Sequence, residues 1–319
     1  MSPSPFSSPS FDGAVRLADW GVIRATGADA ASFLHGQLTQ DTQSLREGTA
    51  RLAGYCSAKG RLLASFIVWR ADADSLLLAC SADLLPATLK RLSMFVLRAK
   101  CKLSDASAEV ALYGLAGPSA ATLLGGESPA PWKTQPTGLD HGAPAGLVVG
   151  LPDAATTRRW LLAQPAAAAP PALPALSPEG WAWLEVQSGV ARITTPTVEQ
   201  FVPQMVNLEL VGGVNFQKGC YPGQEIVARS QYRGTLKRRA MLFDSTSPLA
   251  IGQEVFHSAD PGQPAGLVAL AAQRPGGGSS ALVEIKLSAL DSGSLHLGAA
   301  DGPAMQPAAL AYAIPTDQG

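Results

Sequence analysis

The stretch Gly212-Gly213-Val214-Asn215-Phe216-Gln217-Lys218-Gly219-Cys220-Tyr221-Pro222-Gly223-Gln224-Glu225-Ile226-Val227-Ala228-Arg229 differs in kind from the rest of the chain. Four glycines and a proline fall within its first twelve residues. That density implies a tightly turned backbone whose amides are free to face a ligand. Cys220 follows Lys218 by two residues, and Glu225 is placed to begin a short helix. A nearby cation and free N–H groups both favour thiolate over thiol, so Cys220 is a candidate reactive thiol with Lys218 as its charged neighbour. The residue types also allow a plainer reading, a small buried cysteine in a loop that the glycines merely shape. A basic run of Arg229, Arg233, Lys237, Arg238 and Arg239 continues from the loop. It reads either as an anion-recognition patch or as a solvated basic face.

Working back from the loop, Ser177-Pro178 gives a helix start, a Ser cap with Pro at the first helical position. Trp181, Leu184 and Ser188 share one face of that helix, while Trp183 points elsewhere. Residues 165–176 are Ala/Pro-rich and read as a semi-rigid connection. Further upstream, Gly21-Val22-Ile23 signals a strand, and Asp29 offers a cap for a helix carrying Ala30, Leu34 and Leu38. The apolar runs 62–69 and 75–80 look like an antiparallel hairpin. Asp83 precedes a helix with Leu85, Leu89, Leu92 and Val96 at helical spacing. Strands are expected at 109–115 and 146–150, and a helix from Asp153 would carry Trp160. Strands and helices mixed without strict alternation argue for an α+β architecture. Beyond Ala240, short apolar runs (241–243, 254–256, 267–271, 282–287 and 308–312) alternate with Gly/Pro/Ser turns, the pattern of a small β-barrel or sandwich. The organisation expected is an α+β region over 14–164, the connection 165–177, a second part of the core with the cysteine loop over 178–239, and the β-rich region 240–314.

Composition narrows the function. At 319 residues, 46% of them hydrophobic, the chain can bury a sizeable core. Its 24 Lys and Arg nearly balance 25 Asp and Glu, so nucleic acid or an acidic membrane could be bound only through a local patch. Aromatic residues near the basic run are limited to Tyr221 and Tyr232, which leaves direct RNA binding weakly supported. Residues 1–10 lack the basic and apolar character of a secretory signal, and no stretch approaches a membrane span, so a soluble cytoplasmic protein is expected. Cys56, Cys80, Cys101 and Cys220 show no C-x-x-C spacing, and the histidines are scattered. Free cytosolic thiols are the simpler reading, and no permanently bound metal is expected.

Lys218 to Glu225 match K-G-C-Y-x-G-Q-E at every fixed position, and this motif resembles that of the YgfZ-type relatives of the glycine-cleavage T-protein. Other segments resemble the same family. Phe33-Leu34-His35-Gly36-Gln37-Leu38-Thr39-Gln40-Asp41 is similar to F-L-x-G-Q-x-T-x-D, and Ser57-Ala58-Lys59-Gly60-Arg61 to D-A-K-G-[KR], with Ser in place of Asp. Gln200-Phe201-Val202-Pro203-Gln204 with Asn207-Leu208 resembles Q-F-x-P-Q…N-L, and Tyr232-Arg233-Gly234 with Lys237-Arg238 resembles F/Y-R-G…K-R. The likeness covers roughly residues 14–314.

The resemblance implies the T-protein fold, two mixed α/β domains and a C-terminal β-barrel around a central pocket for tetrahydrofolate or a derivative. It implies folate contacts from Trp20 and Trp181, whose indoles offer a flat surface to a ring. Tyr221, Gly223, Gln224, Glu225, Arg229 and Arg233 complete the expected folate-binding set, with Cys220 and Lys218 as the functional pair. Iron–sulfur enzymes or cluster-assembly proteins are the partners it implies, in bacteria those of tRNA methylthiolation. A single thiolate cannot hold a cluster alone. That leaves a transient or shared ligand, or a redox-responsive nucleophile, as roles for Cys220. The alternative is folate-dependent aminomethyl transfer, which needs a carboxylate beside the folate. Ala64 and Ser65 stand where the T-protein acids belong, and this argues against it.

Overall fold

The computed structural model describes residues 11–126, 128–137, 146–232 and 236–315; His141 and Arg233 lie outside them. The first half contains β1 (Gly13–Arg16), β2 (Trp20–Thr26), α1 (Ala30–His35), β3 (Ala50–Cys56), β4 (Leu62–Asp72), β5 (Ser75–Ser81), α2 (Leu85–Ser93) and β6 (Lys102–Asp105). It continues with β7 (Val110–Ala116), α3 (Gly117–Leu123), β8 (Thr134–Pro136), β9 (Leu147–Ala154) and β10 (Thr157–Pro165). Then come α4 (Pro178–Gln187), α5 (Gln224–Tyr232) and six strands, β11 (Arg238–Ser245), β12 (Glu254–His257), β13 (Asp260–Gln273), β14 (Ser279–Lys286), β15 (Leu295–Leu297) and β16 (Ala304–Ala308). They form two five-stranded sheets, ordered β1-β7-β10-β9-β8 and β3-β4-β5-β2-β6, and a closed barrel, β11-β14-β13-β12-β15-β16. None of the helices among the described residues is long and apolar enough to cross a membrane.

The near-continuous apolar runs of β4 and β5 follow from burial on both faces. Successive side chains of a strand point to opposite sides. Leu62, Ala64, Phe66 and Val68 accordingly join Leu76, Leu78 and Cys80 in a core shared with α1, α2 and the near wall of the barrel. Ile67, Trp69, Leu77 and Ala79 turn the other way, toward Leu112, Val149, Leu161, Trp181 and Leu184. The second core therefore lies between the two sheets, with α4 inserted beside it. The far face of the first sheet packs Leu115, Val148, Trp160 and Leu162 against Ala120 of α3.

Several local expectations need correcting. No helix starts at Asp153: β9 and β10 form a hairpin whose turn residues, Ala155 and Thr156, take left-handed conformations (φ 47° and 65°). Trp160 and Leu162 on one face and Leu161 and Ala163 on the other are all buried, so two-sided burial overrides local helix preference. α1 ends at His35, leaving Leu38 on the following turn, still buried. Asp29 does not cap α1; its carboxylate accepts from Lys100 N–H at 2.7 Å. Asp83 likewise serves Thr195 N–H at 2.8 Å, and α2 stops before Val96. Ser177 does cap α4, accepting from Gly180 N–H at 3.0 Å. The final barrel strand ends at Ala308, the first residue of the apolar run expected at 308–312, and Tyr312 instead donates its hydroxyl to the carbonyl of Gly189 at 2.8 Å.

Gly114 in the middle of β7 shows how tightly α4 sits on the sheet. A Cβ there would fall 2.5–2.6 Å from the Trp181 indole. Gly114→Ala is expected to lower the unfolding free energy by about 1–3 kcal/mol through overpacking. Urea unfolding checks this, and an unchanged midpoint would mean that Trp181 does not rest on Gly114.

Candidate functional site

A cavity opens between the two sheets along one face of α4. Trp181, Glu185 and Ser188, spaced one helical turn apart, all line it. The opposite walls come from Trp20, Leu52, Ser65, Phe66, Trp132, Leu151 and Arg159. The cavity volume is only about 50 Å³, so it is a narrow slot.

Charges bury themselves around this slot in one network. Arg192 Nη2 lies 2.5 Å from the Asp19 carboxylate and 3.5 Å from that of Glu185, and its guanidinium carbon sits 4.8 Å from the centre of the Trp20 ring. Burial lifts the Glu185 pKa, and Arg192 offsets only part of that; for Arg192, Glu185 and Asp19 outweigh burial and hold the guanidinium charge. Arg159 donates twice to the carbonyl of Pro152, at 3.0 and 3.2 Å, with its guanidinium carbon 5.3 Å from the centre of the Trp181 ring. With Gly114 under the same indole, Trp181 presents its edge to the slot instead of a free face. Among the described residues, three buried side-chain N–H groups have no partner: Trp20 Nε1, Trp181 Nε1 and Arg192 Nε. The Trp20 N–H lies near enough to the Glu185 carboxylate to favour its ionised form in the manner of a hydrogen bond, although the pair falls outside ordinary hydrogen-bond geometry.

The cysteine loop is held elsewhere, by the other motifs of the chain. Lys218 is buried, and its ammonium donates to the carbonyls of His35 (2.5 Å) and Leu38 (2.9 Å) while lying 4.7 Å from the centre of the Tyr221 ring. Burial lowers the Lys218 pKa to about 8, against the opposing pull of Asp41 and Cys220. Thr39 clasps the glycine stretch: its hydroxyl donates to Gly213 O at 2.6 Å and accepts from Gly54 N–H at 2.7 Å. Gly223 (φ +78°) lies so close to the 57–61 turn that a Cβ would meet Ser57 O at 2.3 Å and Gly60 Cα at 2.6 Å. Gln204 donates to Val227 O at 2.8 Å, tying 200–204 to α5.

Cys220 is exposed, as are Glu225 in the first turn of α5 and Arg229; Tyr221 is buried, and Gly223 and Gln224 are half-buried. Cys56 and Cys80 are buried thiols whose pKa values burial pushes up to about 12. The structure thus brings Trp20 and Trp181 into one slot, whose lining includes none of Lys218, Cys220, Tyr221, Gly223, Gln224, Glu225 or Arg229. The basic run divides: Arg238 pairs with Glu284 and the buried Arg239 with Glu209, which anchors the barrel and leaves neither free for an anion. Sequence reasoning missed Glu185, Arg192 and Arg159. The available signals were an acid one turn after Trp181 on the same helical face, and an arginine set between the apolar residues Ala191 and Ile193.

The GCVT N-terminal domain family matches residues 14–135. The tRNA-modifying protein YgfZ of Edwardsiella ictaluri is 37% identical over 238 residues, covering 72% of this chain and 70% of that protein. YgfZ of Colwellia psychrerythraea is 30% identical over 236 residues, covering 72% and 71%. The crystal structure of glycine cleavage system aminomethyltransferase T from Bartonella henselae superposes with a TM-score of 0.74 at 16% identity, covering 93% of this chain and 85% of that one. The fold, two sheets and a closed six-stranded barrel, is that of the aminomethyltransferase, and by sequence the chain belongs to the YgfZ family.

Proposed function

We propose that this protein binds a reduced folate and acts as an accessory factor for iron–sulfur enzymes, those of tRNA methylthiolation among them, through Cys220. The observation that carries the folate assignment is the slot. A pteridine is flat and presents N–H donors beside ring-nitrogen and carbonyl acceptors. The slot offers it apolar walls, the Glu185 carboxylate as acceptor and three unpartnered N–H donors. Buried polar groups ordinarily find partners, so orphaned donors on a cavity wall fit a ligand that supplies them. Trp20, Trp181, Glu185 and Arg192 would hold the ring, and folate when bound would supply one-carbon chemistry. On the other surface, the exposed Cys220 offers a sulfur that a partner protein can reach. Tyr221, Gly223, Gln224 and Glu225 shape that loop, and Arg229 supplies a nearby exposed cation.

Titration with a reduced folate tests the slot. Trp20→Ala or Trp181→Ala should weaken binding several-fold, the scale of about 0.5–1.5 kcal/mol for an aromatic contact beyond area burial. Glu185→Gln should cost more, about tenfold or above, because hydrogen bonds to a charged group are worth about 1.5–3 kcal/mol. Affinity unchanged in all three variants, with unfolding midpoints unchanged too, would remove the slot from the folate site.

Aminomethyl transfer is the reading the strand chemistry disfavours. Ala64 is fully buried, and Ser65, which lines the slot, spends its hydroxyl accepting from Ile193 N–H at 3.0 Å. The carboxylate that does line the slot, Glu185, is engaged by Arg192. With lipoylated aminomethyl carrier and tetrahydrofolate, no methylene-tetrahydrofolate is expected to form; formation at T-protein-like rates would overturn this. In a strain lacking its own YgfZ, Cys220→Ser should fail to restore tRNA methylthiolation while still binding folate, and full restoration would make the loop structural.

A further inference from the structure

The segment from Lys90 to Lys102 carries a surface that neither the slot nor the cysteine loop uses. The whole chain is balanced at a net charge of −1, yet the residues between Asp83 and Asp105 include five cations and no acid: Lys90, Arg91, Arg98, Lys100 and Lys102. All five are exposed, and none takes part in an ion pair among the described residues. Between them the chain leaves α2 in a knuckle of turns, closed by Phe95 N–H to Leu92 O at 3.0 Å and Ala99 N–H to Val96 O at 2.8 Å. Val96 packs inward on the core shared with α1. Met94, Phe95 and Leu97 do not: 67%, 44% and 88% of their surface is exposed. Leu97 is the informative residue. Its φ is +39°, in the left-handed region that glycine enters freely and a larger side chain does not. The folded chain therefore gains neither burial nor backbone comfort from a leucine there. Three exposed apolar side chains on one knuckle, rimmed by unpaired cations, have the make-up of an interface core with a polar rim.

The place of the knuckle in the fold indicates the partner, because α1 runs from it to the cysteine loop. At one end of α1, the Asp29 carboxylate accepts from Lys100 N–H at 2.7 Å and Asp29 N–H donates to Lys100 O at 3.1 Å. At the other end, the carbonyl of His35 accepts from the Lys218 ammonium at 2.5 Å, two residues before Cys220. The six residues of α1, at about 1.5 Å each, separate the two ends by about 9 Å. A protein seated on the knuckle therefore also reaches the exposed Cys220. We infer that the knuckle is a docking surface for the iron–sulfur protein that Cys220 serves, and that this partner presents an acidic rim around an apolar recess. The inference rests on the accessory role proposed above. Acidic side chains answer the five cations, and the recess takes Met94, Phe95 and Leu97. RNA fits less well: phosphates would leave Met94 and Leu97 without a partner, and Phe95 alone in the segment offers a ring for base stacking. A lipid surface also fits less well, since three side chains on one knuckle bury far less than the apolar face of an interfacial helix. The rim charges steer and orient the partner, and the apolar contacts hold it.

Calorimetric titration of the full-length protein with a purified tRNA methylthiotransferase, its clusters in place, tests this. Binding is expected, and it should weaken as salt rises from about 50 to about 500 mM, because the rim charges are exposed. Leu97→Gly suits the left-handed backbone, so it should keep the unfolding midpoint while weakening the complex at least about tenfold. Lys100→Glu should weaken the complex at low salt and much less at high salt. Folate affinity should be unchanged in both variants. If Leu97→Gly lowers the midpoint, Lys100→Glu decides alone. Unchanged affinity for the methylthiotransferase in both variants overturns the proposal, as does failure of the unaltered protein to bind it. Transfer RNA alone and phosphatidylglycerol vesicles are the other arms. Tighter binding of either, lost with Leu97→Gly, assigns the surface to RNA or lipid and overturns the protein partner. Complementation separates the two levels. If the docking test fails while Cys220→Ser still does not restore tRNA methylthiolation, the docking surface falls and the accessory role stands. If Cys220→Ser restores it fully, the accessory role falls, and the titration still decides the surface.

Discussion

The buried ammonium of Lys218, donating to the carbonyls of His35 and Leu38, is the tie on which the cysteine loop depends. The loop has no strand or helix of its own between Gly212 and Gly223, so no ladder fixes it. Its shape comes from single contacts with distant segments. Thr39 answers for Gly213 and Gly54, Gln40 donates to Gly212 O at 2.8 Å, and Asn215 N–H returns to Thr39 O at 2.9 Å. Each such bond contributes about 0.5–1.5 kcal/mol net, so the arrangement is stable only as a set. Burial weakens the hold of Lys218 on its proton, yet two carbonyl acceptors favour the charged form. That balance explains why a lysine, with its compact ammonium and several donors, suits this corner.

The same logic accounts for the distribution of the sequence motifs. Segments 33–41, 57–61, 200–208 and 218–225 are far apart in the chain and meet around one loop. Few of these residues face open solvent as a ligand would require. Most hold one another: Gly60 and Gly223 are in backbone contact, Gln204 binds α5 at Val227 O, and Asn207 in a left-handed turn (φ 57°) donates to Ala240 O at 2.8 Å. Arg239 lies beneath them, donating to Gln204 O at 3.1 Å and pairing with Glu209. Two of the five cations of a run that looks like an anion site in the sequence, Arg238 and the buried Arg239, instead anchor the barrel. Charge pairing decides their role, and the acids concerned, Glu209 and Glu284, are remote from the run in sequence.

What the sequence made legible follows the range of the interactions. The β4–β5 hairpin, the Ser177 cap of α4, the short helix after the cysteine loop and the all-β character of the last region rest on local chemistry, and the structure contains them. The β9–β10 hairpin was not legible, because Trp160 to Ala163 are buried on both faces by α3 and the second sheet, partners that no local period records. Strands β15 and β16 are short and close a barrel, so their pairing depends on register with β11 and β12. In the slot, Trp20 and Trp181 were reached through flanking motifs. Glu185 and Arg192 were not, since each reads as an ordinary surface charge until the other is placed beside it.

The two sites remain distinct surfaces, but one strand serves both. The 57–61 turn beneath Gly223 leads straight into β4, whose first residue, Leu62, exchanges backbone hydrogen bonds with Phe201 and Glu199. Ser65, three residues on, lines the slot. At about 3.3 Å per residue, that segment of β4 spans roughly 10 Å from the floor of the cysteine loop to the slot wall. Side chains on this strand alternate between the core under the loop and the core between the sheets, so neither face can shift without the other. A carboxylate at Ser65 would have to be desolvated against Ile193 and beside the Glu185–Arg192 pair. The hydroxyl there instead satisfies a backbone N–H at no charge cost. The strand thus serves as a rigid floor between the slot and the exposed sulfur of Cys220.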